Sequence, residues 1–455
     1  MKIQTLSGIR VEGFNAPPNL RFNLRAGLLI TGVCVIFLLE ILAVSCSQDP
    51  IFFTISNEIA PRPPRVEGAP TNMVVFEREY TLNPYDPENP YLVDPDDPDN
   101  HTIRVPILYV ASGKLHWYAP ASGSGKPQWD LKEYPIPQPG GKIIALAAAG
   151  ERLYALSLDS HNSVNATLRY IGYQDNEWTK VKLGSDSYTA IQSIYADTDR
   201  LFAGARKGDS TYALLYVDDD TDTLKILKPD TDLLSGTVCR EGIHYLCTQG
   251  KGIFQVAEGD FANNNNDIPV TQLNNLSADE KDLIFMSMIK LKDESIIAIE
   301  RKGGGLYTVQ SGSFKQMENA SANNIATGKY ATGAIALWEN VNNPDEKLLI
   351  VGILGGLYTT STSSYTHGYV EFELNPNGSF NFNSTPTRRD PGHLLSVSNQ
   401  ERYTASIGKR PINYLFQTPP EIDPSMTFFA STQTSGLWSY RNRPKNGGWQ
   451  WNAEE

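Results

Sequence analysis

No stretch of this sequence carries an amphipathic helical pattern of useful length. That absence excludes parallel-sheet architectures, whose crossover connections need helices. Lysine and arginine are too few for a nucleic-acid binder: 39 stand against 51 acidic residues, a formal net charge of −12. Phosphate neutralisation needs a cationic excess, so no nucleic-acid partner is expected. Four of the basic and two of the acidic residues lie in the first 45 positions, which leaves 35 against 49, a net of −14, on the remainder. A body of that sign has no general attraction for anionic lipid. Histidine is scarce. His101, His116, His161, His244, His367 and His393 form no HExxH, HxH or His–Cys cluster, so a zinc site is not expected. Neither a GxSxG elbow nor a Walker loop occurs. Gly303-Gly304-Gly305 sits between strands rather than ahead of a helix, so it cradles no phosphate. No catalytic residue is assigned and no cofactor is implied.

Cysteine is nearly as rare, with four copies, Cys34, Cys46, Cys239 and Cys247. The last two fall on consecutive strands flanking a turn at Glu241-Gly242. In an oxidising compartment they are a candidate cross-strand disulfide; the alternative is two small buried hydrophobes.

What is abundant is β-forming and turn-forming chemistry: 22 tyrosines, 7 tryptophans, 36 glycines and 29 prolines. At the N-terminus, residues 26–44 read AGLLITGVCVIFLLEILAV, apolar except for Thr31 and Glu40, with Arg21 and Arg25 ahead of them. This is the layout of an export signal. Leu42-Ala43-Val44-Ser45-Cys46 follows, and it resembles the relaxed lipobox of spirochaete-type bacterial lipoproteins. The resemblance implies lipid attachment at Cys46, which becomes the mature N-terminus. An uncleaved membrane anchor and a plain cleaved signal are the alternatives; Glu40 inside the apolar run weighs against the anchor. All three place residues 47–455 outside the cytoplasm, in the cell envelope. Residues 1–46 are thus read as signal or anchor. Residues 47–71 are read as a tether, because Pro61, Pro63, Pro64 and Pro70 favour extended backbone. Residues 72–455 are read as one folded body.

That body repeats. An apolar run, a short polar turn with glycine, then Leu or Ile before an aromatic residue recurs as HYLCTQGKGIFQV, SIIAIERKGGGLYTV, LLIVGILGGLYTT and TFFASTQTSGLWSY, with looser copies earlier. The runs begin near residues 107, 152, 200, 244, 295, 348 and 427, at spacings of 45, 48, 44, 51, 53 and 79. A β-type pattern with a period of about 40–50 residues predicts propeller blades. Each run is preceded by another apolar strand and followed, past the aromatic strand, by a polar one. The expected architecture is all-β, a single propeller of seven four-stranded blades with wet outer edges. The aromatic series Trp117, Tyr170, Tyr216, Phe254, Tyr307, Tyr358 and Trp438 is expected on the third strands, packed between neighbours, and the final tryptophans are expected to lock ring closure. The Gly-Leu/Ile-aromatic repeat resembles those of two-component-regulator and periplasmic sensor propellers. Sialidase-type S-x-D-x-G-x-x-W boxes are missing.

Asp218, Asp220 and Asp222 resemble part of a calcium loop, but Thr223 and Pro229 stand where a glycine and a glutamate belong, so a solvated turn is the preferred reading. Long irregular segments at 81–104, 259–268 and 375–410, the last with Arg388-Arg389-Asp390, are the binding candidates. The expected function is non-catalytic: an anchored propeller whose loops bind protein or glycan. The alternatives are a polysaccharide hydrolase or lyase and a structural subunit of an envelope assembly.

Overall fold

A computed structural model of the chain describes residues 66, 68, 70–82, 101–120, 126–159, 166–184, 190–208, 211–263, 268–276, 282–301, 305–317, 330–356, 368–383, 387–389, 407, 411–432, 436–443 and 448–454. Contacts divide the chain into two units, Met1–Pro63 and Pro64–Glu455. All described residues belong to the second, so the signal segment and Cys46 lie outside them. Val66 and Pro70, at the end of the expected tether, are buried against the body. Among the described residues no helix is long and apolar enough to cross a membrane.

The strands assemble, among the described residues, into seven antiparallel sheets in chain order. Sheet 1 is Asn72–Leu82, His101–Ala111, Leu115–Ala119 and Gln128–Trp129. Sheet 2 is Lys142–Ala149, Arg152–Leu158, Ala166–Gly172 and Thr179–Lys180. Sheet 3 is Ala190–Ala196, Leu201–Lys207, Thr211–Asp218 and Thr223–Thr231. Sheet 4 is Leu234–Arg240, Ile243–Thr248, Ile253–Ala257 and Thr271–Gln272. Sheet 5 is Phe285–Lys290, Ile296–Glu300, Leu306–Gln310 and Ser313–Gln316. Sheet 6 is Tyr330–Asn340, Asn343–Gly356, Gly368–Glu373 and Thr387–Arg389. Sheet 7 is Ile412–Gln417, Phe428–Thr432, Gly436–Arg443 and Gly448–Ala453.

The expected apolar runs are the second strands. Their burial is continuous rather than alternating, all five residues in Ile296–Glu300 and Phe428–Thr432. A strand covered on both faces selects such a run, because each face packs on a neighbouring sheet. Close packing also explains two glycines. A Cβ on Gly204 would approach the Leu234 backbone nitrogen at 2.9 Å, and one on Gly352 would approach Ile412 Cγ2 at 2.9 Å. At each point the second strand lets the first strand of the next sheet come close. The first strand of every sheet touches the first strand of the next, and that of sheet 7 touches that of sheet 1. The sheets therefore close into a ring about their first strands, and the fold is a β-propeller.

First strands have a free edge toward the axis, and polar side chains from neighbours cover its backbone groups. Asn72 donates to the Leu146 carbonyl and accepts from the Leu146 amide (2.5 and 2.9 Å). Gln417 does the same for Glu339, at 2.8 Å in both directions. Ser193 donates to Leu234 O (2.7 Å) and Ser235 to Phe285 O (2.6 Å).

Every sheet is built from consecutive strands, and Asn72–Leu82 pairs within sheet 1 rather than joining the last sheet. Ring closure thus rests on side chains. The Tyr118 hydroxyl donates to Asp423 (3.3 Å), Trp129 Nε1 to Glu454 (3.1 Å) and the Tyr414 hydroxyl to Met73 O (3.0 Å). Trp129 and Tyr118 pack on Phe429.

Several expectations need correction. Sheets 3 and 5 carry a fifth strand: Lys182–Leu183 and Asn274–Asn275, each from the preceding connection, add in parallel to the outer strand and cover its edge. In sheet 6 the second strand runs on through Gly356, paired with Tyr330, instead of turning there. Its third strand is Gly368–Glu373, with Tyr369 in the aromatic position; Tyr358 lies outside the described residues. Arg388 and Arg389 belong to the outer strand of that sheet and not to a loop. Trp451 locks sheet 7 to sheet 6 through Tyr369, while closure to sheet 1 falls to Trp129.

Candidate functional site

Five of the first strands surround a cavity of about 560 Å³ near the axis. Tyr195 and Ala196 come from sheet 3, Gly236 and Thr237 from sheet 4, Ser287 to Ile289 from sheet 5, Ile335 to Leu337 from sheet 6 and Tyr414 to Gln417 from sheet 7. Consecutive residues of each of these first strands line the cavity, because the strand meets it with its free edge rather than with one face. Gly236 lets the first strands of sheets 4 and 5 come close, since a Cβ there would lie 3.1 Å from Cys247 Sγ and 3.3 Å from the Met288 nitrogen.

The wall is mostly apolar, with Met288, Ile289, Leu337 and Phe416 beside the two tyrosines. Burial raises the Tyr414 hydroxyl to about 12 and pushes Tyr195 up as well. Both rings are therefore neutral at ordinary pH. The charged residues lining it are Lys292 and Glu339, and they pair with one another. The turn at Thr418 to Pro420 and Met426 complete the rim. Among the described residues no histidine or cysteine lines the cavity, and the carboxylate of Glu339 is paired with Lys292. The apolar part of the wall is suited to holding an apolar group.

A second constellation lies between sheets 3 and 4. His244, on the second strand of sheet 4, places Nδ1 2.5 Å from Asp197 Oδ2, and its Nε2 meets Glu258 Oε2. Arg200 donates two bonds to Glu258, at 2.5 and 3.2 Å, and stacks over Phe261 at 4.0 Å. Burial alone would lower the pKa of His244; the hydrogen bond and charge of Asp197, then those of Glu258, outweigh it and raise the pKa above its ordinary value. Burial likewise opposes ionisation of Glu258, but Arg200 and His244 hold its carboxyl below the usual range. Cys239 faces His244 across the hairpin, because Glu241 and Gly242 both adopt positive φ (53° and 72°) and form a two-residue turn. With both ring nitrogens engaged by carboxylates, His244 has no nitrogen free to take a proton from the Cys239 thiol. Thr237 ties this constellation to the cavity wall, since its hydroxyl donates to Asp197 (3.3 Å).

Sequence reasoning missed both features. The cavity takes a few residues from each of five strands, and Asp197 stands 42 positions before Cys239. The turn between Cys239 and His244 was the only signal in reach. The expected disulfide does not form: Cys239 and Cys247 are both free. Cys239 pairs with His244 and Cys247 with Gly236, three rungs away. At about 3.3 Å per residue that offset is about 10 Å, beyond the reach of a bridge. Cys247 is buried beside Ser235, and burial pushes its thiol up to about 12.

The aspartate run has a different task. Asp218 pairs with Lys225 (2.6 Å), while Asp222 accepts from Arg152 (2.7 Å) and Tyr170 (3.0 Å) of sheet 2. Asp220 is exposed. The carboxylates thus turn to separate cations instead of converging. Arg152 and Arg200, each just ahead of or opening a second strand, reach an acid at the end of the third strand of the next sheet. The two form a repeated clasp between sheets. Of the loop candidates, residues 83–100 and 264–267 lie outside the described residues, as do 390–406. Glu258–Asn263 is a short 3-10 helix that presents Phe261 to Phe202, Tyr216 and His244.

No family model matches the chain, and no curated protein matches it. Among solved structures it is similar to the periplasmic gluconolactonase PpgL of Pseudomonas aeruginosa, with 12% identity, 74% of this chain and 90% of that one covered, and a TM-score of 0.45. It is similar to YCF48 from Cyanidioschyzon merolae at 10% identity, covering 85% and 98%, with a TM-score of 0.43. The extracellular domain of a hybrid two-component system of B. thetaiotaomicron matches at 12% identity, covering 73% of this chain and 38% of that one, with a TM-score of 0.41. Likenesses at this level carry nothing of those proteins' activities to this chain.

Proposed function

We propose that this chain is an exported, lipid-anchored propeller of seven blades that binds a protein partner at the axial cavity, without catalysis. The observation that carries the reading is the cavity itself: about 560 Å³, apolar and methionine-bearing, ringed by one internal ion pair. Such a wall rewards burial of an apolar side chain. Several of its polar side chains are already engaged within the protein, Thr237 with Asp197, Gln417 with Glu339, Tyr414 with Met73 and Lys292 with Glu339, which favours protein over the many hydroxyls of a glycan. The lipobox-like run ending at Cys46 supplies the address, and the prolines after it supply a stand-off from the membrane.

Intact native cells producing the full chain with a photo-crosslinking amino acid at Ile289 test the reading. One protein adduct is expected, absent when Leu337 of the cavity wall is replaced by lysine. Failure of any protein to crosslink, with binding of the purified chain to a carbohydrate array, overturns the protein reading. Mass spectrometry of the same sample reports the N-terminal peptide. An acylated peptide beginning at Cys46 is expected, and a peptide retaining residues 1–45 contradicts the lipid anchor.

A further inference from the structure

We propose that Asp197, Cys239 and His244 form a binding site for a divalent transition-metal ion of the zinc class. One donor atom from each of the three lies within 4.8 Å of the other two. That spread fits the coordination sphere of one ion, whose ligands stand about 2.0–2.3 Å from the metal. The donor set is one sulfur, one nitrogen and one oxygen, a combination that suits borderline-soft zinc and not calcium or magnesium.

The fold builds the site from two sheets. Asp197 follows the first strand of sheet 3, while Cys239 and His244 are cross-strand partners in sheet 4. The Asp197 side chain is 4% exposed, and its Oδ1 has no hydrogen-bond partner. A buried carboxylate oxygen left without a partner is costly, and a cation is the group that satisfies it. Glu258 occupies the far ring nitrogen of His244 and is itself held by Arg200. This is the outer-shell arrangement that fixes a ligating imidazole in orientation and strengthens its donor. Three protein donors leave a fourth position for water or a ligand atom. Uptake converts the Cys239 thiol to a thiolate and removes the proton shared between His244 and Asp197. Both protons leave to solvent, and bonds to the ion replace the His244–Asp197 hydrogen bond.

The test uses the full chain in detergent, stripped with a chelator and then titrated with cobalt(II) and zinc(II). One ion per chain is expected, with a thiolate-to-cobalt charge-transfer band that zinc abolishes. Cys239→Ser should lose the band while Cys247→Ser, the control for the other described thiol, keeps it. Glu258→Gln should weaken zinc binding about 10–100-fold, the usual effect of removing an outer-shell partner. Should Cys239→Ser fail to fold, Asp197→Asn keeps the shape of the side chain and should weaken zinc binding at least as much. No stoichiometric uptake, a band that survives Cys239→Ser, or unchanged zinc affinity in Asp197→Asn would each overturn the site.

Discussion

Replacing Trp451 by alanine is expected to destabilise the chain by about 3–5 kcal/mol, the usual cost of removing a buried tryptophan. The side chain is 3% exposed and lies on the last strand of sheet 7. Its ring sits 5.1 Å from Tyr440, 5.9 Å from Phe428 and 5.9 Å from Tyr369. Its indole nitrogen donates to the Tyr369 hydroxyl at 3.0 Å, and Tyr369 belongs to sheet 6. One residue therefore fills the space between two sheets and ties them together. Trp451→Phe keeps most of the packing and loses the hydrogen bond, so a smaller loss of about 1 kcal/mol is expected beyond the change in size. Urea unfolding of the three proteins measures both. A loss below about 1 kcal/mol for the alanine variant would show that the ring is not packed between sheets.

The second large effect is expected at Asp423, which is 2% exposed in the turn between the first two strands of sheet 7. Its carboxylate accepts from the Tyr118 hydroxyl of sheet 1 (3.3 Å), the Thr427 hydroxyl (2.5 Å) and the Ser425 amide (2.9 Å). Two of these bonds shape the turn and the third crosses the closure of the ring. Alanine withdraws the acceptor from all three donors. Each withdrawal from a buried donor costs about 1–3 kcal/mol, and the expected total is about 3–5 kcal/mol after the turn relaxes. Tyr118→Phe removes the crossing bond alone and should cost about 1 kcal/mol. Among the described residues no strand is shared between the first and last sheets, and side chains of this kind carry the closure. Equal stability of Asp423→Ala and the parent chain would mean that the closure lies elsewhere.

Much of the fold was legible because strand order and chain order coincide. Each second strand is covered on both faces, so it appears in the sequence as an unbroken apolar run. The first strands were legible for a related reason: Lys142–Ala149 and Leu234–Arg240 are apolar and lead into two-residue turns marked by Gly150 and Gly242. Local signals failed where a strand outgrew its repeat. In sheet 6 the second strand spans 14 residues and runs on through Gly356, where its siblings turn, and Tyr369 takes the aromatic position of the third strand. The candidate sites were far less legible. Met288, Phe416 and Tyr195 meet only because three first strands converge on one axis, and nothing within a single repeat encodes that. Asp197 reaches His244 by the same route, across the gap between neighbouring sheets. Asp218 and Asp222 were read as part of a turn in preference to a calcium loop, but the sequence did not reveal their partners, Lys225 and Arg152, which supply two separate cations in space.

The measurement that bears most directly on this account is an experimental density map of the full chain at side-chain resolution. The expected result is one closed ring of seven antiparallel sheets, with Ile412–Gln417 beside Asn72–Leu82 and Asp423 within hydrogen-bond reach of Tyr118. An open array of sheets, or a last sheet completed by a strand from the N-terminal end of the chain, would contradict it.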